Sequence, residues 1–186
     1  QFGGVGTRCA DALEGQVAKV TRVDAGRDLA QVLTALKPDV VFNALHGKWG
    51  EDGCCAAVLE TLQIPYTHSG VLASALAMHK EKSKAIFRAA HIPVAESKLV
   101  ELEMVATQHP MPPPYVVKPV AEGSSVGVHI VMSSSNGPAH LVLEQRDLFG
   151  THAMVERFIP GKELTCAVVG DVALGVIDIV SKSSTW

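Results

Sequence analysis

The sequence predicts a mixed fold, α/β and α+β, in which a parallel α/β unit precedes a region of strands and turns. Strand-like and helix-like segments alternate over residues 17–62 with short connections, which is typical of a parallel sheet with helices on its faces. Beyond about residue 80 the pattern changes to strands joined by polar turns. The 186 residues are 47% hydrophobic and 19% charged, a composition typical of packed globular proteins rather than disordered ones.

Four segments build the α/β part. Alternating or continuously apolar residues predict strands at residues 17–23 and 39–45, the second of them buried. Helical periodicity predicts helices at residues 29–36 and 53–62. The order strand, helix, strand, helix is what a parallel sheet requires.

The remaining elements lie on either side of residues 107–114, a proline-rich stretch that excludes regular structure because proline lacks a backbone donor. Before this stretch, helices are predicted at residues 71–78 and 80–90. After it, strands are predicted at residues 115–118, 126–132 and 153–159, and an antiparallel pair at residues 163–169 and 172–180.

Composition and charge argue against several classes of protein. Sixteen lysines and arginines against 19 aspartates and glutamates give a formal charge of −3, without the basic excess typical of nucleic-acid-binding proteins. No apolar run approaches the roughly 18–20 residues that cross a bilayer, and the first residues lack a signal-peptide pattern. The four cysteines show no metal-ligand spacing, so we expect reduced thiols in a cytoplasmic protein, and the apolar helical pattern around Cys54 and Cys55 predicts that both of these are buried.

The strongest local signal is a lysine at the end of an apolar strand, followed by a loop of small residues. Lys118 ends the predicted strand, and Gly123, Ser124 and Ser125 follow it. Backbone amides, hydroxyls and an ammonium group suit a polyanion such as the phosphates of a nucleotide. The alternative is an ordinary β-turn with exposed serines. A Walker A loop is excluded, because there the lysine follows the glycines.

A second candidate site follows the predicted strand at residues 39–45. His46 lies at the carboxyl end of this strand, where open α/β sheets bind ligands, and imidazole exchanges a proton near neutral pH. A structural role for His46 is the alternative. Glu51 and Asp52 precede the next helix, and we expect them to cap it.

Two weaker signals complete the set. Glu156 and Glu163 flank an apolar connector with Phe158 and Ile159, which suits a nucleoside but equally a solvated hairpin. Lys80 is the first of three alternating lysines that by themselves are typical of a solvated helix face.

Together, these segments resemble the D-alanine–D-alanine ligases of the ATP-grasp superfamily. The resemblance covers nearly the whole chain and rests on four stretches in the family's order and spacing, residues 44–53, 64–80, 117–127 and 155–165. It implies an N-terminal α/β domain at residues 1–79, a central ATP-grasp domain at residues 80–160 and the start of a C-terminal catalytic domain at residues 161–186.

The resemblance also implies the reaction, which is the joining of two D-alanines with ATP for peptidoglycan precursor synthesis in the bacterial cytoplasm. In this family the first D-alanine carboxylate attacks the γ-phosphate, and the amine of the second then displaces phosphate from the D-alanyl phosphate. The implied ligands are ATP, D-alanine and Mg²⁺ or Mn²⁺, and a homodimer is implied by the family alone.

Each candidate residue receives a role from the resemblance. His46 would face the second D-alanine, and Ser124 would position the substrate and the closing loop. The nucleotide site would comprise Lys80, Lys118 and Ser125 at the phosphates, and Glu156, Glu163, Phe158 and Ile159 at the adenine and ribose.

Two departures from the family pattern leave alternatives open. Gly3-Gly4 is not followed by the family's glutamate-bearing segment, and the family's magnesium ligands and oxyanion arginine are expected after residue 186. We therefore expect a partial ligase. The alternatives are a non-catalytic nucleotide-binding fragment or interaction module, and another ATP-grasp carboxylate–amine ligase.

Overall fold

The computed structural model of the chain describes residues 4–16, 19–123, 125–135 and 137–180. The chain divides into two compact units. Unit 1 comprises residues 1–91 and 121–124, and unit 2 comprises residues 92–120 and 125–186.

Unit 1 is mainly helical in its described residues. Its helices are α1 (Gly4–Leu13), α2 (Leu29–Leu36), α3 (Cys54–Thr61), α4 (Val71–Met78) and α5 (Lys80–Ala89). Helices α2 to α5 lie where the sequence predicts them, whereas α1 is not predicted. The apolar faces of α2 and α3 meet in a buried core of Leu33, Cys55 and Leu59.

Among the described residues, neither of the two strands predicted in unit 1 forms, and this prediction is wrong. Residues 19–26 are without regular secondary structure, and residues 17–18 lie outside the described residues. In residues 39–45 only Val41 pairs, through one parallel bridge to Tyr66, and Phe42 is exposed rather than buried. A strand needs a neighbouring segment as well as an apolar sequence, and both segments instead line a cavity of about 970 Å³.

Unit 2 contains a four-stranded antiparallel sheet with the spatial order β1-β4-β2-β3. The strands are β1 (Ser97–Glu101), β2 (Tyr115–Lys118), β3 (His129–Val131) and β4 (His152–Arg157). Strand β2 is confirmed at its predicted bounds, while β3 and β4 are shorter than predicted. The register pairs Val116 with Glu156 and Lys118 with Met154.

The core of unit 2 lies between this sheet and three short helices. These are α6 (Leu102–Thr107), a 3₁₀ helix (His140–Gln145) and α7 (Arg146–Phe149), none of which is predicted from the sequence, and neither is β1. Leu102, Tyr115 and Val117 are fully buried in this core. The Tyr115 hydroxyl lies 2.9 Å from Nδ1 of His109, so its polar group is satisfied.

The last two strands, β5 (Glu163–Val169) and β6 (Val172–Ile179), form the predicted antiparallel pair as a separate two-stranded sheet. Their turn passes through Gly170, whose φ of 59° is left-handed and favours glycine. Apolar side chains of both strands are exposed, among them Leu164, Val168, Val169, Val172, Leu174, Val176 and Ile177. No helix among the described residues is long and apolar enough to cross a membrane.

Candidate functional site

The loop that carries His46 is fixed at both ends by the side chain of Asn43. The Asn43 amide nitrogen donates to the Gly50 carbonyl at 3.0 Å, and its Oδ1 accepts from the Leu45 amide at 3.0 Å. His46 itself is exposed between these two anchored positions. His46 therefore follows residues 39–45 in an exposed loop, and not at the carboxyl end of a strand as predicted, because those residues do not form a strand.

The two acidic residues of this loop bind its backbone amides. Oε2 of Glu51 accepts from the Gly47 amide at 2.6 Å. Asp52 accepts from the amides of Trp49 at 2.9 Å and Cys54 at 3.0 Å, and Cys54 is the first residue of α3. Asp52 therefore satisfies a free amide at the start of α3, as predicted, whereas Glu51 holds the loop instead.

The pKa of Asp52 reflects these contacts. Burial raises the pKa of this carboxyl, but the hydrogen bonds from Trp49 and Cys54 together outweigh burial, so the pKa lies below 3.8. The same carboxylate raises the pKa of the Cys54 thiol, because the protonated thiol donates a hydrogen bond to Asp52 that a thiolate cannot make. Cys54 is exposed and Cys55 is buried, so the expectation that both thiols are buried is wrong for Cys54.

Glycines make the close approaches that this loop requires. A Cβ at Gly50 would collide with Leu45, against whose backbone Gly50 packs. Gly53 has a φ of 92°, and a Cβ there would lie 2.7 Å from the Val71 carbonyl oxygen. The loop therefore depends on glycine at both positions.

The small-residue loop after β2 approaches the His46 loop within unit 1. A Cβ at Gly123 would stand 4.0 Å from Oε2 of Glu51. Nζ of Lys80, at the start of α5, donates to the carbonyl of Glu122. Two segments that the sequence singled out separately thus lie side by side, and Lys80 anchors one of them. Ser124 lies outside the described residues.

The remaining lysines of α5 differ from the expected solvated face. Lys82 is exposed, but Lys84 is buried, with 8% of its surface accessible. Successive side chains of a helix point about 100° apart around its axis, so lysines at every second position face different surroundings. The expectation of a solvated helix face is wrong for Lys84.

In unit 2, Lys118 and Glu156 form an ion pair across neighbouring strands. Nζ of Lys118 lies 2.5 Å from Oε1 of Glu156, and the side chains are 21% and 16% exposed. The pair joins the end of β2 to β4, so two candidate nucleotide-binding residues are brought together by the sheet. Partial burial strengthens such a pair relative to one in bulk water.

The other candidate residues of unit 2 lie in and beyond the same region. Phe158 is half-buried and its amide donates to the Pro114 carbonyl at 3.2 Å, while Ile159 is 63% exposed. Glu163 is exposed at the first position of β5. Ser125 lies in a turn with a left-handed φ of 59°. The exposed side chain of Ile159 offers apolar surface to which a base could bind.

Two family models match the chain. The model for the D-ala D-ala ligase N-terminus matches residues 9–69, and the model for the D-ala D-ala ligase C-terminus matches residues 83–186, more than half of the chain. The chain belongs to the D-alanine–D-alanine ligase family. The resemblance inferred from the four sequence stretches is thereby confirmed.

Individual members of the D-alanine–D-alanine ligase family align with nearly the whole chain. The ligase of Rhizobium meliloti strain 1021 is 58% identical over 181 residues, and that of Methylobacterium radiotolerans is 55% identical over 181 residues. Each alignment covers 97% of this chain and 59% of the relative. The chain therefore spans about three fifths of the length of these curated relatives.

Solved structures of D-alanine–D-alanine ligases share the fold. A crystal structure of the Bacillus anthracis ligase matches with a TM-score of 0.73 and 27% identity, covering 96% of this chain and 61% of that chain. A structure of the same enzyme complexed with ATP also gives a TM-score of 0.73, at 24% identity, covering all of this chain and 65% of that one. The predicted mixed fold is confirmed.

Sequence reasoning missed Asn43, which the structure places at the centre of the His46 loop. Its side chain is buried, with 8% of its surface accessible. An amide within an otherwise apolar run, residues 40–45, is the signal that identifies it, because an apolar environment admits such a group only with hydrogen-bond partners.

Proposed function

We propose that the protein acts in the ATP-dependent ligation of two D-alanines to D-alanyl-D-alanine, a step in making the peptidoglycan precursor. The observation that carries this proposal is the 55–58% identity to D-alanine–D-alanine ligases across 97% of the chain. The lysine, glycine and glutamate residues of the two candidate loops support it.

The proposed reaction has two steps. A carboxylate oxygen of the first D-alanine attacks the γ-phosphorus of ATP, and ADP leaves. The amine of the second D-alanine then attacks the carbonyl carbon of the D-alanyl phosphate, so that inorganic phosphate leaves and the amine loses a proton. Both steps depend on positioning and on neutralising phosphate charge rather than on covalent chemistry of the protein.

In unit 2 we assign nucleotide binding to the Lys118–Glu156 pair and its neighbours. Lys118 supplies a positive charge for phosphate oxygens, and Glu156 accepts from the adenine amine. Phe158 and Ile159 provide apolar surface for the base, and Glu163 accepts from the ribose hydroxyls. Ser125 belongs to the loop at the phosphates. These roles are supported by the ion pair between β2 and β4 and by the exposure of Ile159.

In unit 1 we assign substrate contact to His46 and Ser124, and phosphate contact to Lys80. His46 is exposed on a loop whose backbone is held by Asn43, Glu51 and Asp52. An imidazole on a fixed loop can orient an amine or accept its proton near neutral pH. The proposed domains are residues 1–79, 80–160 and 161–186.

Metal binding is not supported by the described residues. Among them there is no group of three or more His, Cys, Asp or Glu side chains that could hold a metal ion. Mg²⁺, a cytoplasmic location and a homodimer stay predictions from the family resemblance.

The test is release of ADP by the purified chain with ATP and magnesium, measured with and without D-alanine. D-alanine-dependent release, with L-alanine as the inactive control, is the expected result. ADP release at the same rate with and without D-alanine would contradict ligase activity. Binding of ATP without any release would identify the chain as a nucleotide-binding fragment, which is the alternative kept from the sequence.

A further inference from the structure

Asn43 uses every polar group it has, although it lies in an apolar segment. Its backbone amide donates to Oγ1 of Thr67 at 3.0 Å, and its carbonyl accepts from Nε2 of His68 at 2.5 Å. Because a carbonyl only accepts, His68 carries its proton on Nε2. The backbone of Asn43 is thus fixed to residues 67–68. Its side chain makes its hydrogen bonds to the loop at residues 45–50.

The side chain of Asn43 joins two points of the chain that enclose His46. It accepts from the amide of Leu45 and donates to the carbonyl of Gly50, both at 3.0 Å. Gly50 is buried, so its carbonyl needs an internal partner. The amide of asparagine offers a donor and an acceptor on one short side chain, and this arrangement uses both.

Other side chains of similar size cannot replace this pair of bonds. Leucine would leave the Gly50 carbonyl and the Leu45 amide without their partner. Aspartate would keep the acceptor for Leu45 but place a carboxylate oxygen against the carbonyl oxygen of Gly50. A second hydrogen bond within this loop, from the Gly47 amide to Glu51, is exposed to solvent. It does not replace the buried hydrogen bonds of the Asn43 side chain.

We propose that Asn43 is a positioning residue, which sets the place of His46 for the second D-alanine by closing residues 45–50 into a fixed loop. The inference rests on the proposed function, because it takes the role of His46 from it. Asn43 itself lies 8% exposed and acts through the loop.

The test compares Asn43→Leu and Asn43→Asp with Thr67→Val as the matched control. Thr67→Val removes the acceptor of the Asn43 backbone amide but leaves both side-chain bonds to the loop. For Asn43→Leu and Asn43→Asp, the KM for the second D-alanine is expected to rise about tenfold, with the KM for ATP within about twofold of wild type. Thr67→Val is expected to leave the ratio of the two KM values unchanged.

A double-mutant cycle with His46→Ala separates positioning from general destabilisation. If Asn43 acts through His46, Asn43→Leu adds little to the effect of His46→Ala. Additive effects of the two substitutions would overturn the inference, as would equal rises in the two KM values.

Amide hydrogen exchange distinguishes failure of this inference from failure of the proposed function. The Leu45 and Gly47 amides are expected to exchange at least about tenfold faster in Asn43→Leu than in wild type. Unchanged exchange rates would overturn the inference whatever the activity. A wild-type chain without D-alanine-dependent turnover would reject the proposed function, and the exchange rates would then alone decide whether Asn43 fixes the loop.

Discussion

The ammonium group of Lys118 and the carboxylate of Glu156 are paired at 2.5 Å, each on a different strand of one sheet. Both residues are proposed to bind the nucleotide, yet in this structure each is partnered by the other. The pair neutralises two partly buried charges, and a nucleotide that binds both must replace or share this contact. Removing either partner leaves the other charge partly buried without its partner at this contact.

Lys118→Ala is therefore expected to weaken ATP binding about 10- to 100-fold, since a hydrogen bond to a charged group contributes roughly 1.5–3 kcal/mol. Isothermal titration calorimetry with ATP measures the change. Lys98→Ala is the matched control, because Lys98 lies on β1 of the same sheet with an exposed side chain. Unchanged ATP affinity in Lys118→Ala would refute its phosphate role.

Ser124→Ala is expected to lower turnover more than it lowers ATP affinity, because the proposal places its hydroxyl beside the substrate and the closing loop. We expect a loss of about 10²-fold in kcat, comparable to removing one donor that acts in the transition state. Steady-state kinetics and ATP titration give the two quantities. Ser133→Ala, at an exposed turn, is the control. A larger loss of ATP affinity than of kcat would contradict this placement.

Asp52→Ala is expected to lower the free energy of unfolding by about 1 kcal/mol, because two amides lose an acceptor. Urea unfolding measures this change. Asp28→Ala is the matched control, since Asp28 also precedes a helix but its side chain makes no capping hydrogen bond.

The contribution of the Asp52 charge is expected to depend on pH. Because the folded-state pKa lies below the ordinary aspartate value of 3.8, this contribution is complete well above pH 3.8 and is lost as the pH falls through the folded-state pKa. The difference in unfolding free energy between wild type and Asp52→Asn should therefore be constant near neutral pH and shrink below pH 3.8. A difference that grew on acidification would contradict the sign of the pKa shift.

Gly53→Ala is expected to destabilise unit 1 more than Gly15→Ala does. Both glycines have a left-handed φ, 92° and 83°, so alanine costs roughly 1–2 kcal/mol at either position. Only at Gly53 would the new Cβ also meet the Val71 carbonyl oxygen, at 2.7 Å, whereas Gly15 has nothing within 4 Å. Urea unfolding of the two variants separates backbone strain from collision. Equal losses of stability would show that the structure around Val71 shifts to accommodate the new Cβ without a further loss of unfolding free energy.

Sequence patterns within a single segment correctly predicted the elements whose formation depends mainly on that segment. Helices α2 to α5 follow from periodicity, and β5 and β6 follow from two apolar runs around Gly170-Asp171. Residues 39–45 carry an equally apolar pattern, but strand formation also needs a partner, and here only Val41 has one. Pairing between segments distant in the sequence is not encoded in the pattern of either segment.

In the candidate site, too, the sequence indicated individual residues but not the contacts between residues that are distant in the chain. The sequence singled out His46 and Lys118 by residue type and position at the end of a strand, and Glu156 as a carboxylate beside an apolar connector, whereas Lys80 gained a role only from the family resemblance. The pairing of Lys118 with Glu156, 38 positions apart, depends on the register between β2 and β4. A single sequence carries no direct signal for that register, nor for the carbonyl of Glu122 as the acceptor of Lys80.

The exposed hairpin of β5 and β6 has a practical consequence for every experiment on this chain. A ribbon with apolar side chains and strand edges open to solvent is a template on which other chains can add further strands. Self-association through this ribbon would rise with protein concentration and lower the fraction of chains free to bind nucleotide. Affinities and rates should therefore be measured over a dilution series, with light scattering, so that values from monomers are separated from those of assemblies.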